Sequence, residues 1–283
     1  MFENKNTNTV YLSELLRIDE RFKETCIHLE QILDRNNVKY KFLKSTKDIW
    51  CRDYMPIQVD KEKFIQFRYE PSYLKEKLSL QSDPKKVCNA NRIEPEFSNI
   101  NLDSGNIVNW NNRAIISDKV FDENPEYIDR SKLVDELEKL LNVEIIIIPR
   151  IKTDMTGHAD GMVRFVDKNT ILGNDRNQEY KYWKDGINKV CKNYNLNYID
   201  IPFFKNKEIN KKKPGNAIGC YVNYLEIDNL ILLPIFEVPG NRDIEVLEKF
   251  KTIFPDRIIE TINYNEIGYY GGLLNCTTWT IKE

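Results

Sequence analysis

A chain of 283 residues is long enough to bury a large core, and 41% apolar against 30% charged residues excludes the disordered and fibrous classes. The formal net charge is only −2 with both signs interleaved, which excludes a basic field for nucleic acid or an anionic membrane. Six cysteines (Cys26, Cys51, Cys88, Cys191, Cys220, Cys276) lie far apart without a CxxC pair, as expected of a chain kept in a reducing, cytoplasmic compartment.

The polar stretch Met1 to Thr9 has no apolar core before a cleavage site, so no secretory signal is expected there. From Tyr11 to Asp34, Leu12, Leu15, Leu16, Phe22, Cys26, Leu29 and Leu33 fall near helical spacing and predict one amphipathic helix, with His28 as a surface histidine. A unit then recurs: a polar or glycine-rich turn, an apolar strand, a short turn with Asn, Asp or Lys, and a second strand.

The first copy runs from Asp53 through Ile57 and Val59, turns at Asp60 to Lys63 and returns along Phe64 to Tyr69. The polar segment Tyr73 to Phe97 follows, readable as a surface helix and loop or as a lid or groove. A second copy opens at Asp103-Ser104-Gly105-Asn106, continues Ile107 to Trp110, turns at Asn111-Asn112 and returns along Ala114 to Ser117. Ser131 to Leu141 predicts a helix on Leu133, Val134, Leu137 and Leu140.

The third copy opens at Gly157-His158-Ala159-Asp160, runs Met162 to Val166, turns at Asp167 to Asn169 and returns along Thr170 to Leu172. Lys211 to Lys213 is the one cationic block and reads as a solvated loop beside Pro214-Gly215. The fourth copy spans Cys220 to Leu225, a turn at Asp228-Asn229, and Leu230 to Ile235, before a predicted helix from Asp243 to Ile253. A fifth opens at Gly271-Gly272 and begins a strand around Cys276. The aliphatic runs Ile145 to Ile148 and Leu230 to Leu233 fall far below the roughly 18 residues of a membrane helix and read as buried strands.

Openings lie roughly 50 to 60 residues apart, a period of propellers and solenoids. Five mixed α/β units closed into a ring would form a single domain over residues 1–283, with all opening turns at one end of a central axis. Those turns carry Trp50, Arg52 and Asp53; Asp103 and Asn106; Asp154, His158 and Asp160; and Cys276. A thiol with an imidazole partner is a usual nucleophile and base pair, and only His28 and His158 are available as the imidazole. His158 and Asp160 are two apart, so an extended backbone would point both to one face. Zinc is set aside, because a catalytic site wants at least three firm nitrogen or sulfur ligands.

Five segments in register carry a resemblance: Trp50-Cys-Arg-Asp-Tyr-Met-Pro56; Leu102-Asp-Ser-Gly-Asn-Ile107; Thr156-Gly-His-Ala-Asp160 with Arg164-Phe165; Tyr221-Val-Asn-Tyr224 with Leu232-Leu-Pro234; and Gly271-Gly-Leu-Leu-Asn-Cys276-Thr-Thr. From about residue 45 to its end the chain resembles the agmatine deiminases and bacterial peptidylarginine deiminases. The resemblance implies the pentein fold, a five-bladed α/β propeller of ββαβ-type units around a central active site. It also implies hydrolysis of a guanidinium to a ureido group and ammonia, without metal or organic cofactor. In that pattern Cys276 is the nucleophile and His158 the acid and base, with Asp53 and Asp160 holding the guanidinium. Asp154 takes the place of a substrate-contacting glutamate. Trp50, in the first motif, is expected to line the substrate pocket.

The chain departs from many agmatine deiminases at Tyr270 and Asn275, where those enzymes carry a third glycine and a histidine. It also carries Tyr54-Met55 in place of smaller residues near the substrate tail. Agmatine, hydrolysed to N-carbamoylputrescine in putrescine biosynthesis, is the first expected substrate, ahead of a peptidyl-arginine or another guanidino compound. An amidinotransferase would use the same residues but pass the amidino group to an amine, and a non-catalytic pentein binding protein would need neither nucleophile nor clamp.

Overall fold

The computed structural model describes residues 1–206 and 216–283, so Lys211 to Lys213 and Pro214-Gly215 lie outside the described residues. Among the described residues fifteen strands group into five three-stranded sheets. In the first four an antiparallel hairpin, and in the fifth an antiparallel pair, joins its inner strand to a third, parallel strand reached through a helix, as a parallel connection requires. The first strands, β1 (Thr9–Ser13) and β2 (Lys39–Leu43), are parallel and belong to the last sheet.

The first complete sheet joins β3 (Ile57–Gln58), β4 (Phe64–Arg68) and β5 (Glu96–Asn101). The second joins β6 (Ile107–Trp110), β7 (Arg113–Ser117) and β8 (Glu144–Ile148). The third joins β9 (Val163–Asp167), β10 (Thr170–Asn174) and β11 (Asn197–Ile201). The fourth joins β12 (Leu225–Ile227), β13 (Leu230–Ile235) and β14 (Ile258–Asn263). Finally β15 (Thr278–Ile281) pairs antiparallel with β1, Val10 opposite Thr280, so the two ends of the chain complete the fifth sheet.

Local chemistry explains the hairpins and helix ends. Asn111 and Asp228 take positive φ of 49° and 45° in their tight turns, a conformation asparagine and aspartate tolerate better than most residues. Asn142 and Asn195 end the helices Arg130–Leu141 and Lys181–Tyr194 in the same left-handed conformation. The first of these helices buries Leu133, Leu137 and Leu141 at a spacing of four, against Ile145 and Val143; Leu137→Ala there costs about 2–5 kcal/mol.

Two expectations change. Residues 9–13 are a strand, not the start of a helix; the helices are Leu15–Ile18 and Lys23–Arg35. β1 is central in its sheet and buried at every position, so Leu12 continues by accident the helical spacing of Leu15 and Leu16. The fifth strand starts at Thr278, beyond Cys276, which lies in the preceding turn. Tyr73 to Phe97 holds a Ser72–Leu74 turn, the helix Pro84–Ala90 and the start of β5.

The opening turns form a closed hydrogen-bonded circuit. Ser104 Oγ donates to Met55 O (2.7 Å), and Asn106 Oδ1 accepts the Ala159 N–H (3.1 Å). Asn223 Nδ2 donates to Asp160 O (3.4 Å), Asn275 N–H donates to Asn223 Oδ1 (3.0 Å), and Arg52 N–H donates to Cys276 O (3.1 Å). Each sheet thus hands its opening turn to the next, and the fifth returns to the first. Among the described residues no helix is long and apolar enough to cross a membrane.

Candidate active site

Asp48 accepts the Trp50 N–H (3.0 Å) and so starts the short helix Cys51–Tyr54. Cys51 and Tyr54 face inward, fully buried, which leaves Arg52 and Asp53 on the side of the axis. Met55 is also fully buried and the Tyr54 hydroxyl donates to Asp48 O, so neither lines the mouth where the resemblance placed a substrate tail. In the second turn a Cβ on Gly105 would stand 2.3 Å from Asp53 Oδ1 and 2.8 Å from His158 Nδ1, so glycine is required for the turns to approach.

His158 is extended (φ −72°, ψ 142°), but Ala159–Gly161 is a 3₁₀ turn, so His158 and Asp160 are not alternate residues of one strand. The imidazole turns to the first two sheets: Nε2 meets Asp103 Oδ2 at 2.8 Å and Nδ1 lies 3.5 Å from Asp53 Oδ1. Asp160 turns to the fifth, with Oδ2 2.7 Å from Asn275 Nδ2 and 3.8 Å from Cys276 Sγ. Trp50 is half-buried, and its six-membered ring covers Gly272, where a Cβ would meet Cζ3 at 2.5 Å and Cys276 Cβ at 3.1 Å.

Asp53, His158, Asp160 and Cys276 therefore converge, with Trp50 beside them. Asp154 stands apart on an exposed loop, where Oδ1 accepts from the Thr156 N–H and hydroxyl, both at 3.0 Å. Its charge still reaches Cys220, whose sulfur contacts Gly161 O next to Asp160. His28 is exposed on its helix, far from this chemistry in role and surroundings. All six cysteines are unpaired.

Electrostatics follow from crowding carboxylates out of water. Burial pushes Asp53 well above the usual carboxylate range; the His158 cation opposes this, while Asp103 and Asp160 add to it. Asp53 Oδ1 is buried with no hydrogen-bond partner among the described groups. Burial works against a charged His158, yet Asp53, the Asp103 hydrogen bond and charge, and Asp160 together hold the imidazolium up to about 10. The Cys276 thiol is pushed well above its ordinary value by burial and then by Asp160 and Asp53. Asp48, beneath Trp50, is raised by burial to about 7.

Three contributors were not assigned roles from the sequence. Asp103 was placed in an opening turn, but only the fold reveals it as the partner of His158 Nε2. Tyr73, from the polar segment, donates its hydroxyl to the same Asp103 Oδ2 (2.8 Å) and sets its ring edge-to-face with His158 at 6.1 Å. Asn275, seen as a departure at the nucleophile turn, is the hydrogen-bond partner of Asp160.

A thiol, an imidazolium and carboxylates around one mouth suit a planar cation with several N–H donors, attacked at carbon and relieved of an amine. Residues 10–281 match the model of the Porphyromonas-type peptidyl-arginine deiminase family. Comparison with curated protein sequences gives no significant match. Among solved structures, a cysteine-to-serine variant of C. jejuni agmatine deiminase with substrate bound superposes with a TM-score of 0.78 at 18% identity, covering 100% of this chain and 96% of that one. Agmatine deiminase of Enterococcus faecalis gives 0.75 at 16% identity over 98% and 93% of the two chains. DDAH from Pseudomonas aeruginosa, complexed with citrulline, gives 0.60 at 11% over 99% and 100%. At such identities the likeness establishes the fold, and the family match supplies the rest. The chain has the fold of the agmatine deiminase structures and belongs to the Porphyromonas-type peptidyl-arginine deiminase family, and is a guanidino-group deiminase, a hydrolase of carbon–nitrogen bonds.

Proposed function

We propose that the chain acts as one cytoplasmic unit that hydrolyses agmatine to N-carbamoylputrescine and ammonia, with Cys276 as nucleophile and His158 as acid and base. The observation that carries this reading is the placement of Cys276 Sγ 3.8 Å from Asp160 Oδ2, with His158 on two further carboxylates alongside. Asp53 and Asp160 accept the guanidinium N–H groups, and Trp50 walls the pocket. A flat cation with five donors in an Arg-like fork is what paired carboxylates bind best. Asp154, which stands apart on an exposed loop, takes the terminal amine of a short diamine tail only if that loop folds over the bound substrate.

The bound cation offsets the carboxylate charges that hold Cys276 protonated, so the thiol gives its proton to water, to be regained from the ureido oxygen when the thiolate is expelled, and the thiolate adds to the guanidinium carbon. The tetrahedral adduct collapses as His158 passes its proton to the departing nitrogen, which leaves as ammonia. An amidino thioether remains on Cys276. Neutral His158 then takes a proton from water, whose oxygen adds to the same carbon, and expulsion of the thiolate releases the ureido product. Atoms balance with water as the only co-reactant.

The test is ammonia release from purified protein given agmatine, free arginine or an arginine-containing peptide, each beside a Cys276→Ala control. Ammonia from agmatine alone, absent in the control, supports the proposal. Release only from the peptide moves the substrate to peptidyl-arginine, and turnover that needs an added amine moves the reaction to amidino transfer.

A further inference from the structure

The motif Tyr221-Val-Asn-Tyr224 takes no part in the steps above, yet Asn223 touches both halves of the site. Its Oδ1 accepts the N–H groups of Asn275 (3.0 Å) and Cys276 (3.3 Å), and its Nδ2 donates to the carbonyl of Asp160 (3.4 Å). Peptide N–H groups only donate and carbonyls only accept, so the partners themselves dictate which way this amide points. Asn223 is 3% exposed, and its mounting is rigid. Tyr221 and Tyr224 on either side are fully buried, with the Tyr221 hydroxyl on Asp243 and the Tyr224 carbonyl taking Arg164 Nη1 (2.8 Å).

The opposite face of the nucleophile turn is held as well. Arg52 gives its N–H to Cys276 O (3.1 Å) and its Nε–H to Asn275 O (3.3 Å). Two consecutive residues, Asn275 and Cys276, are thus held at their N–H groups by Asn223 and at their carbonyls by Arg52. Cys276 belongs to no strand, so these contacts rather than a sheet ladder fix where its sulfur stands. Because Asn223 also holds the backbone of Asp160, one side chain ties the nucleophile and the carboxylate to a common reference.

Resting on the reading of Cys276 as nucleophile, we propose that Asn223 is a positioning residue that sets the register of the Cys276 sulfur against the Asp160 carboxylate. Its amide also bears on the Cys276 side chain, where it lowers the thiol against the carboxylates. A group that merely stabilises the fold would leave the reactivity of Cys276 unchanged once the protein is folded; a positioning group moves it.

Asn223→Leu, of similar size, removes all three contacts. Its kcat is expected to fall about 100-fold, the usual consequence of a displacement of about 1 Å at a reacting centre, with KM within about threefold of wild type. Alkylation of Cys276 by iodoacetamide, followed by peptide mass mapping, shifts to higher pH, because the amide that holds the thiol down against burial and the carboxylates is gone. Asn223→Asp keeps an acceptor for both N–H groups but adds a charge beside them, so its alkylation profile shifts to higher pH, and it decides the matter if the leucine variant does not fold. Alkylation profiles like wild type in the folded variants, or a kcat for Asn223→Leu within about threefold of wild type, would overturn the proposal. Wild-type turnover that survives complete alkylation of Cys276 would instead bring down the nucleophile assignment, and the proposal with it, a failure visible without any Asn223 variant.

Discussion

Cys276 Sγ and Asp160 Oδ2 lie 3.8 Å apart although 116 positions separate them in the chain. A buried carboxylate at that distance opposes the thiolate, and the same carboxylate suits a guanidinium, so the free site resists ionising its nucleophile until a cation arrives.

Asp160→Asn separates the two roles. The pH dependence of Cys276 alkylation moves downward because one opposing charge is gone, while kcat/KM falls about 10²- to 10³-fold through loss of a transition-state contact. Steady-state kinetics beside alkylation rates check both. An unchanged alkylation profile would mean that Asp160 does not govern the thiol.

Cys276→Ala takes turnover to background and leaves the circular dichroism spectrum and the melting transition close to wild type. The side chain is small and stands in a turn outside any strand, so its loss disturbs little packing. Residual turnover above background would refute the covalent mechanism.

Stability follows a definite course with pH. Folded His158 holds its proton to about 10, against 6.5 for an unperturbed imidazole, so the folded state binds the extra proton between those values. This contribution is complete below pH 6.5 and is lost as pH rises toward 10. The melting temperature of the ligand-free protein falls through that window, and His158→Gln flattens the slope. Cys276 and Asp53, also raised, act in the same sense, so some slope persists in the variant.

Asp103→Asn removes one of the two carboxylates on His158, leaving Asp53; the imidazole titrates lower and kcat falls about 10²- to 10⁴-fold. Tyr73→Phe removes one hydrogen bond to Asp103, a change of about 0.5–1.5 kcal/mol, and raises the His158 titration because the carboxylate is then less well satisfied. With His28 exposed as the only other histidine, imidazole proton NMR reads both shifts directly.

The hairpins and the residue types at their openings were legible in the sequence because their causes are local. Asn111-Asn112 and Asp228-Asn229 close tight turns, and Gly105 permits close approach whatever the distant chain does. The returning parallel strands were not read as members of each sheet. Lys39–Leu43 and Asn197–Ile201 are partly exposed edges whose partners lie across a helix, so their patterns are weak. β1 was absorbed into a helix because its leucine fell in phase with those that follow. At the site, Asp53, His158, Asp160 and Cys276 stand in opening turns that the repeat picks out and in the motifs that carry the family resemblance, whereas Asp103, Tyr73 and Asn223 are defined by what they touch 30 to 63 positions away. Nothing short-range in the chain marks such contacts.

With Cys276 as the proposed nucleophile, the pairing of β15 with β1 sets the propeller's seam next to the catalytic turn. Elsewhere a frayed terminal strand is harmless; here the nucleophile turn leads straight into the strand that fastens the ring. Opening that seam frees the chain just past Cys276, and loss of activity on gentle warming ahead of the melting transition is the expected sign of such a local event. The clasp that keeps the ring shut begins at Thr278, directly after the turn that Asn223 and Arg52 hold.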